Sequence, residues 1–296
     1  MDIKHPEQDS RPNQSEIKSL IYLLDDPDPD IQQQVESRLM ALGEQAIPLL
    51  DQYATHSHRS GQQEQIQRII RRITSGSIEQ EFINIVDQGI TSYTDLEKAM
   101  FVLSKFDKPT IRPEHYQREL DDFAESLQLK LRREIEVPVH KTVIGYLFHT
   151  EGFSGSELDY FDPLNSYIHR VLERRTGIPI SLAMVALFVT RRIGLPFFGI
   201  NLPMHFLLQY DDGTKNFLID PFNNGTIVTE EQCIYFLKKN GIQPSKSHFE
   251  PATSYDMLAR TLRNLINSYK KKDDQESTKN LNKLLNLLET SQLENR

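Results

Sequence analysis

This 296-residue sequence predicts an α+β fold, mainly helical, with one small antiparallel sheet. Three observations carry that prediction. The first is an apolar helix over residues 179–193, led in by Gly177-Ile178-Pro179 and left by Gly194-Leu195-Pro196. Proline near a first turn and glycine just past the last are the expected punctuation of a helix. Ile180, Leu182, Met184, Val185, Leu187, Phe188 and Val189 surround its axis instead of striping one side, and a helix apolar all round is buried. The second is a pair of strand-like runs, 204–210 and 216–220, joined through Asp211-Asp212-Gly213-Thr214, whose Asp-Gly dipeptide favours hairpin turns. The third is helical spacing, apolar residues three and four apart, almost everywhere else.

The hairpin can be read in register. With Asp212-Gly213 as a two-residue loop, cross-strand partners have numbers summing to 425, which pairs His205 with Asp220. Directly opposed residues share a sheet face with Cβ atoms roughly 4.5–5.5 Å apart. A His–Asp couple is thus expected beside a buried helix whose first turn carries one hydroxyl, Ser181.

The remaining elements follow in order. Residues 1–14 are polar and expected to fray. Ile17, Leu20, Ile21 and Leu24 fall at helical spacing until the run Asp25-Asp26-Pro27-Asp28-Pro29 stops them. Asp30 is the expected cap of a second helix striped by Ile31, Val35, Leu39 and Leu42, and Ala46-Ile47-Pro48 begins a third. His56-Ser57-His58 and Arg59-Ser60-Gly61 read as an exposed turn, with no third ligand to make a metal site. Helical periodicity resumes at 65–73 and again at 78–87, then from Thr94. A long amphipathic helix spans 113–135, with Tyr116, Leu120, Phe123, Leu127 and Leu131 on one face. An apolar helix over 143–148 runs into a loop at 152–155. Asp162-Pro163 marks a turn, and Asn165 is the expected N-cap of a helix over 166–175. After the hairpin come a short helix over 230–239 and a tail of two helices from about Tyr255, parted by Lys271-Lys272-Asp273-Asp274.

Composition narrows the function classes. A net charge of −8, with only short and separated basic clusters, speaks against nucleic-acid binding. The single cysteine, Cys233, excludes an intrachain disulfide and a cysteine-based metal site, and its apolar neighbours predict a buried, inert thiol. The longest apolar run, 180–189, is far short of the ~20 residues that span a bilayer, and the N-terminus has no signal-peptide pattern. The expected setting is cytoplasmic, with no membrane partner, no cofactor and no metal.

The runs NSYIHRVLERRTGIPISLA, GINLPMHFLLQY and LIDPFNNG carry a resemblance. They look like the SirB1 family, a branch of the transglutaminase-like superfamily. That likeness implies a papain-like core with a nucleophile at a helix N-terminus and His and Asp on adjacent antiparallel strands. Ser181 falls where the superfamily has its cysteine, His205 at its histidine and Asp220 at its aspartate. The N-terminal pattern resembles HEAT-type helical pairs and the tail a tetratricopeptide unit. Residues 1–90 are therefore read as a helical N-terminal region, 91–250 as the transglutaminase-like core and 251–296 as the tail.

Serine in place of cysteine decides the expected chemistry. A helix N-terminus and a neighbouring imidazolium push a thiol toward thiolate, but a hydroxyl starts many units higher and needs a general base in the attack itself. Ser181, His205 and Asp220 are candidate catalytic residues of a serine-type amide hydrolase or acyltransferase. The plainer reading, that Ser181 satisfies an orphan amide of the first turn, is preferred. The leading expectation is then a non-catalytic or weakly catalytic protein binding a peptide or protein segment in a papain-type cleft. Asn165, Tyr167, Glu173 and Arg174, just before the Gly-Ile-Pro lead-in, are candidate binding residues at its rim, or else members of an ordinary helix charge lattice.

Overall fold

A computed structural model describes residues 14–56 and 60–294. The chain divides into two compact units, Met1–Ile78 with Lys108–Thr110, and Glu79–Asp107 with Ile111–Arg296. Residues 1–13, and 57–59 at the centre of the expected turn, lie outside the described residues.

In the first unit, helices α1 (Gln14–Leu23), α2 (Pro29–Leu42), α3 (Ile47–His56) and most of α4 (Ser60–Gln88) bury one core. Ile17, Ile21, Val35, Leu39, Leu50, Ile66 and Ile70 lie within it. The cap of α2 is Asp28, not the expected Asp30: Asp28 Oδ1 accepts the Asp30 N–H at 2.9 Å, with Pro29 at the first helical position. Proline fits there because its missing N–H would be unused. Where two helical stretches were expected, α4 is continuous through Gly76. Thr74, Ser75 and Ser77 fold their hydroxyls back onto the carbonyls of Ile70, Arg72 and Thr74 instead of breaking the helix.

The second unit is built around the predicted apolar helix. Around it stand α5 (Tyr93–Ser104), α6 (Pro113–Arg133), α7 (Val139–Ile144) running on as a π-helical turn (Gly145–Thr150), and α8 (Ile168–Arg174). Two-residue strands β1 (Ser154–Gly155) and β2 (Thr176–Gly177) pair in parallel at the lead-in of α9 (Pro179–Arg192). Every residue of α9 from Pro179 to Thr190 is buried. Each large apolar side chain so buried contributes roughly 1.5–3 kcal/mol.

Strands β3 (Phe197–Ile200), β4 (Leu207–Asp211), β5 (Asn216–Asp220) and β6 (Thr226–Val228) form one antiparallel sheet in that order. Side chains alternate between its faces. Phe197, Leu208, Tyr210 and Ile219 share one face, buried on the side of α9, which packs against β3 and β4. Ile200, Leu207, Leu218 and Val228 share the other, beneath α10 (Glu230–Lys239) with its Cys233 and Leu237. Helices α11 (Ser254–Lys271) and α12 (Gln275–Glu294) complete the unit as an antiparallel pair, α11 opened by a Thr253–Asp256 capping box. The tail's two helices thus stand where the periodicity placed them.

The hairpin register differs from expectation. Leu208 pairs with Ile219 and Asp211 with Asn216, so partner numbers sum to 427, not 425. Residues 212–215 form the loop. Asp212 makes the difference, because its Oδ1 accepts the N–H groups of Thr214 and Lys215 at 2.9 and 2.8 Å, closing a wider turn than Asp-Gly alone would. Asp220 therefore faces Leu207 directly, and His205 lies ahead of β4 instead of within it. The slip is of two residues, so the face assignment survives.

Candidate functional site

His205 and Asp220 come together nonetheless. His205 Nε2 stands 2.9 Å from Asp220 Oδ2. The approach is out of line with a ring N–H, which leaves Nε2 without an aligned hydrogen bond. The imidazole is presented by a short turn in which the His205 N–H donates to Leu202 O at 3.0 Å. Met204, directly before it, has φ +64° and is 63% exposed. A bulky residue in the left-handed region costs roughly 1–2 kcal/mol, and such strain gathers at functional positions.

Asp220 ends β5 and is held from several sides. Its Oδ1 accepts the Phe222 and Asn223 N–H groups at 3.0 and 3.2 Å, and its Oδ2 accepts Asn223 Nδ2 at 2.7 Å. Burial pushes its pKa up, but His205 and Asn223 outweigh that and hold the carboxyl below its ordinary value. The pair lies on the α10 side of the sheet, in a pocket of about 250 Å³ walled by Leu202, Leu207, Val228 and Phe236, with Asn223, Gln232 and Cys233 alongside. The Cys233 thiol is 5% exposed. Burial, with the charges of Asp220 and Glu230, pushes its pKa up to about 11, so it is a neutral thiol at physiological pH.

Ser181 does not line that pocket. Fully buried in the first turn of α9, its Oγ lies 2.6 Å from Asn165 O and 3.1 Å from Ile178 O, and it accepts the Ile178 N–H at 3.0 Å. One hydroxyl proton serves one good acceptor, and the shortest contact makes that acceptor the Asn165 carbonyl. None of these bonds goes to His205.

None of the four expected rim residues lines the pocket beside His205. Asn165 is not a helix N-cap: Asp162-Pro163 opens a 3-10 turn over Pro163–Asn165 that delays α8 to Ile168. Its side chain is fully buried, with Nδ2 donating to Asp159 O at 2.6 Å and Oδ1 without a hydrogen-bond partner among the described residues. Tyr167 is fully buried too, its hydroxyl 2.9 Å from that of Tyr269. Glu173 accepts Tyr116 OH and Arg170 Nη1 at 2.5 and 2.9 Å, and Arg174 Nη1 lies 3.4 Å from Asp162. Glu173 thus joins the helix charge lattice that was the alternative reading, through Arg170 three residues before it, whereas Arg174 pairs outside the helix, with Asp162. Among the described residues no group of three His, Cys, Asp or Glu side chains is arranged to hold a metal ion, and no helix is long and apolar enough to cross a membrane.

Residues 114–263 match the transglutaminase-like superfamily, about half of the chain and all of the sheet and its two flanking helices. The chain belongs to this superfamily. A UPF0162 protein of Xylella fastidiosa is 37% identical over 166 residues, which cover 52% of this chain and 58% of that one. A UPF0162 protein of Vibrio cholerae is 33% identical over 150 residues, 50% of this chain and 55% of its own. F-box only protein 21 of Mus musculus is 38% identical over 103 residues, 32% of this chain but 16% of that protein. The chain thus spans little more than half the length of these two UPF0162 relatives. No solved structure matches it significantly.

Proposed function

We propose that this transglutaminase-like protein, of the SirB1 kind and with HEAT-like and tetratricopeptide-like helical ends, is a non-catalytic binder that takes up a peptide or protein segment beside His205. The observation that carries the reading is the state of the Ser181 hydroxyl. A serine nucleophile needs its proton shared with a base. Here the proton is directed at a peptide carbonyl, which cannot accept it outright, and the imidazole faces a different pocket.

The pocket supports binding in its own right. Its walls are mostly apolar, with a few convergent polar groups, as binding sites are. At about 250 Å³ it falls below the ~300–1,000 Å³ of small-molecule sites, which suits one anchoring side chain of a longer segment. The His205–Asp220 pair supplies polar groups to its wall, and the strained Met204 directly precedes His205.

Val228→Trp, which fills the pocket, should abolish retention of capped peptides by the immobilised protein, whereas Ser181→Ala should leave it intact. Steady release of ammonia from capped glutamine peptides, lost in Ser181→Ala, would instead establish the serine-type amide hydrolase.

A further inference from the structure

We infer that Arg260, with the aromatic side chains of Tyr160, Phe161 and Phe222, receives a carboxylate of the bound partner: an acidic side chain flanked by apolar ones on a protein segment. The inference rests on the segment-binding reading above and names the chemistry of the segment.

Arg260 stands on α11, half-buried, and its hydrogen bonds go to neutral oxygens. Nη1 donates to Asn201 Oδ1 at 2.5 Å and to Leu202 O at 2.8 Å, and the guanidinium carbon lies 5.7 Å from the centre of the Phe206 ring. Three other half-buried arginines of the same unit are treated differently. Arg170 meets Asp107 and Glu173, Arg175 meets Glu119, and Arg192 meets Glu97 and Asp121. Burial disfavours the charge on Arg170 and Arg192, yet their carboxylates hold both above the ordinary value. Among the described residues Arg260 has only the Tyr160 phenol to set against burial, and its pKa is lowered.

A guanidinium carries five N–H donors in a planar fork. Nη1 is engaged; Nε and Nη2 make no hydrogen bond among the described residues. A cation drawn out of water without a counter-charge is costly, and a carboxylate arriving on the free edge of the fork repays that cost with short, paired bonds.

The surroundings specify the rest of the ligand. Tyr160 and Phe161 are 38% and 43% exposed, and the Tyr160 ring lies 5.2 Å from Phe161 and 5.9 Å from Phe222. Lys271 Nζ sits 3.1 Å over the Phe161 ring and adds a second positive charge to the patch. The exposed carboxylates of Glu157 and Asp159 stand just before Tyr160, so the positive charge acts only locally, which suits a single acid flanked by apolar residues and not a run of acids. Leu202 joins this patch to the pocket: Arg260 holds its carbonyl, and its side chain lines the wall beside His205. One segment can therefore engage both.

The test is selection from a degenerate library of N-acetylated, C-amidated hexapeptides, in which only Asp and Glu carry carboxylates, on the immobilised full chain. Retained peptides should be enriched in Asp or Glu beside aromatic or aliphatic residues. Changing that acid to its amide should weaken binding about tenfold on the native protein and leave affinity for Arg260→Gln unchanged, as for two halves of one charged contact. If Arg260→Gln does not fold, the Arg260 Nε–H resonance of the native protein reads the same contact: it should shift with the acidic peptide and not with its amide. Retained peptides without acid preference, an acid effect that persists in Arg260→Gln, or an unmoved Nε–H resonance would overturn the inference while leaving the pocket reading in place. Retention of no peptide at all would overturn both.

Discussion

Ser181 shows how one atom changes the meaning of a position. A sulfur at a helix N-terminus would be acidified by it; an oxygen is not, and here the hydroxyl is a buried link between the Asn165 carbonyl and the Ile178 amide. Ser181→Ala should lower stability by about 0.5–1.5 kcal/mol in urea unfolding, because the short bond to the Asn165 carbonyl is lost while the Ile178 N–H keeps only its longer bond to that carbonyl, at 3.3 Å. A neutral effect would mean that the hydroxyl is not structural. His140 offers a second single-residue test. It is 3% exposed, its ring centre 4.0 Å from that of Phe217, with Nδ1 lacking a hydrogen-bond partner among the described residues. Burial, helped by Lys141 and Lys215, lowers its pKa from 6.5. Its neutral form is thus favoured on folding, so the stability tied to it is full above pH ~6.5 and is lost as pH falls toward the folded value, because the unfolded chain takes the proton first. His140→Phe should flatten the decline of the urea midpoint between pH ~7 and ~5, the window below the ordinary imidazole value; an unchanged slope would assign that decline to other groups.

The lead-in of α9 is the element on which the core depends most tightly. A Cβ added at Gly177 would lie 2.5 Å from Ser181 Oγ and 3.2 Å from both Val171 methyls. Gly177→Ala should therefore cost about 1–3 kcal/mol and speed amide exchange in the first turns of α9. Native-like exchange there would show that the lead-in relaxes freely. This helix was legible in the sequence because its punctuation and its all-round apolarity agree with one another. The hairpin was legible in its strands and not in its register, since the sequence shows the Asp-Gly dipeptide but not which amides the Asp212 carboxylate will take. A slip of two residues kept parity, and so the His205–Asp220 pair was found for a partly wrong reason. Asn165 failed as a cap because Asp162-Pro163 spends three residues on a 3-10 turn first. Arg260 gave no signal at all: on α11 it is one basic residue among several, and its lack of a counter-charge exists only once loop 201–205 and Tyr160 are folded around it.

At the scale of the whole molecule, the transglutaminase-like core is present. The sheet, the buried helix on one face and the His–Asp pair at a strand end are all present, while the pair faces α10 and the helix hydroxyl is committed elsewhere. The proposed binding role asks no more of the site than this, since a pocket with apolar walls and fixed polar groups needs no nucleophile. The measurement that bears most directly on this is the intact mass of the native protein after prolonged incubation with a fluorophosphonate, which modifies a serine only where a base activates it. No adduct at Ser181 is the expected result. A stoichiometric adduct at Ser181, lost on heat denaturation and in His205→Ala, would contradict the account and make the protein a serine hydrolase.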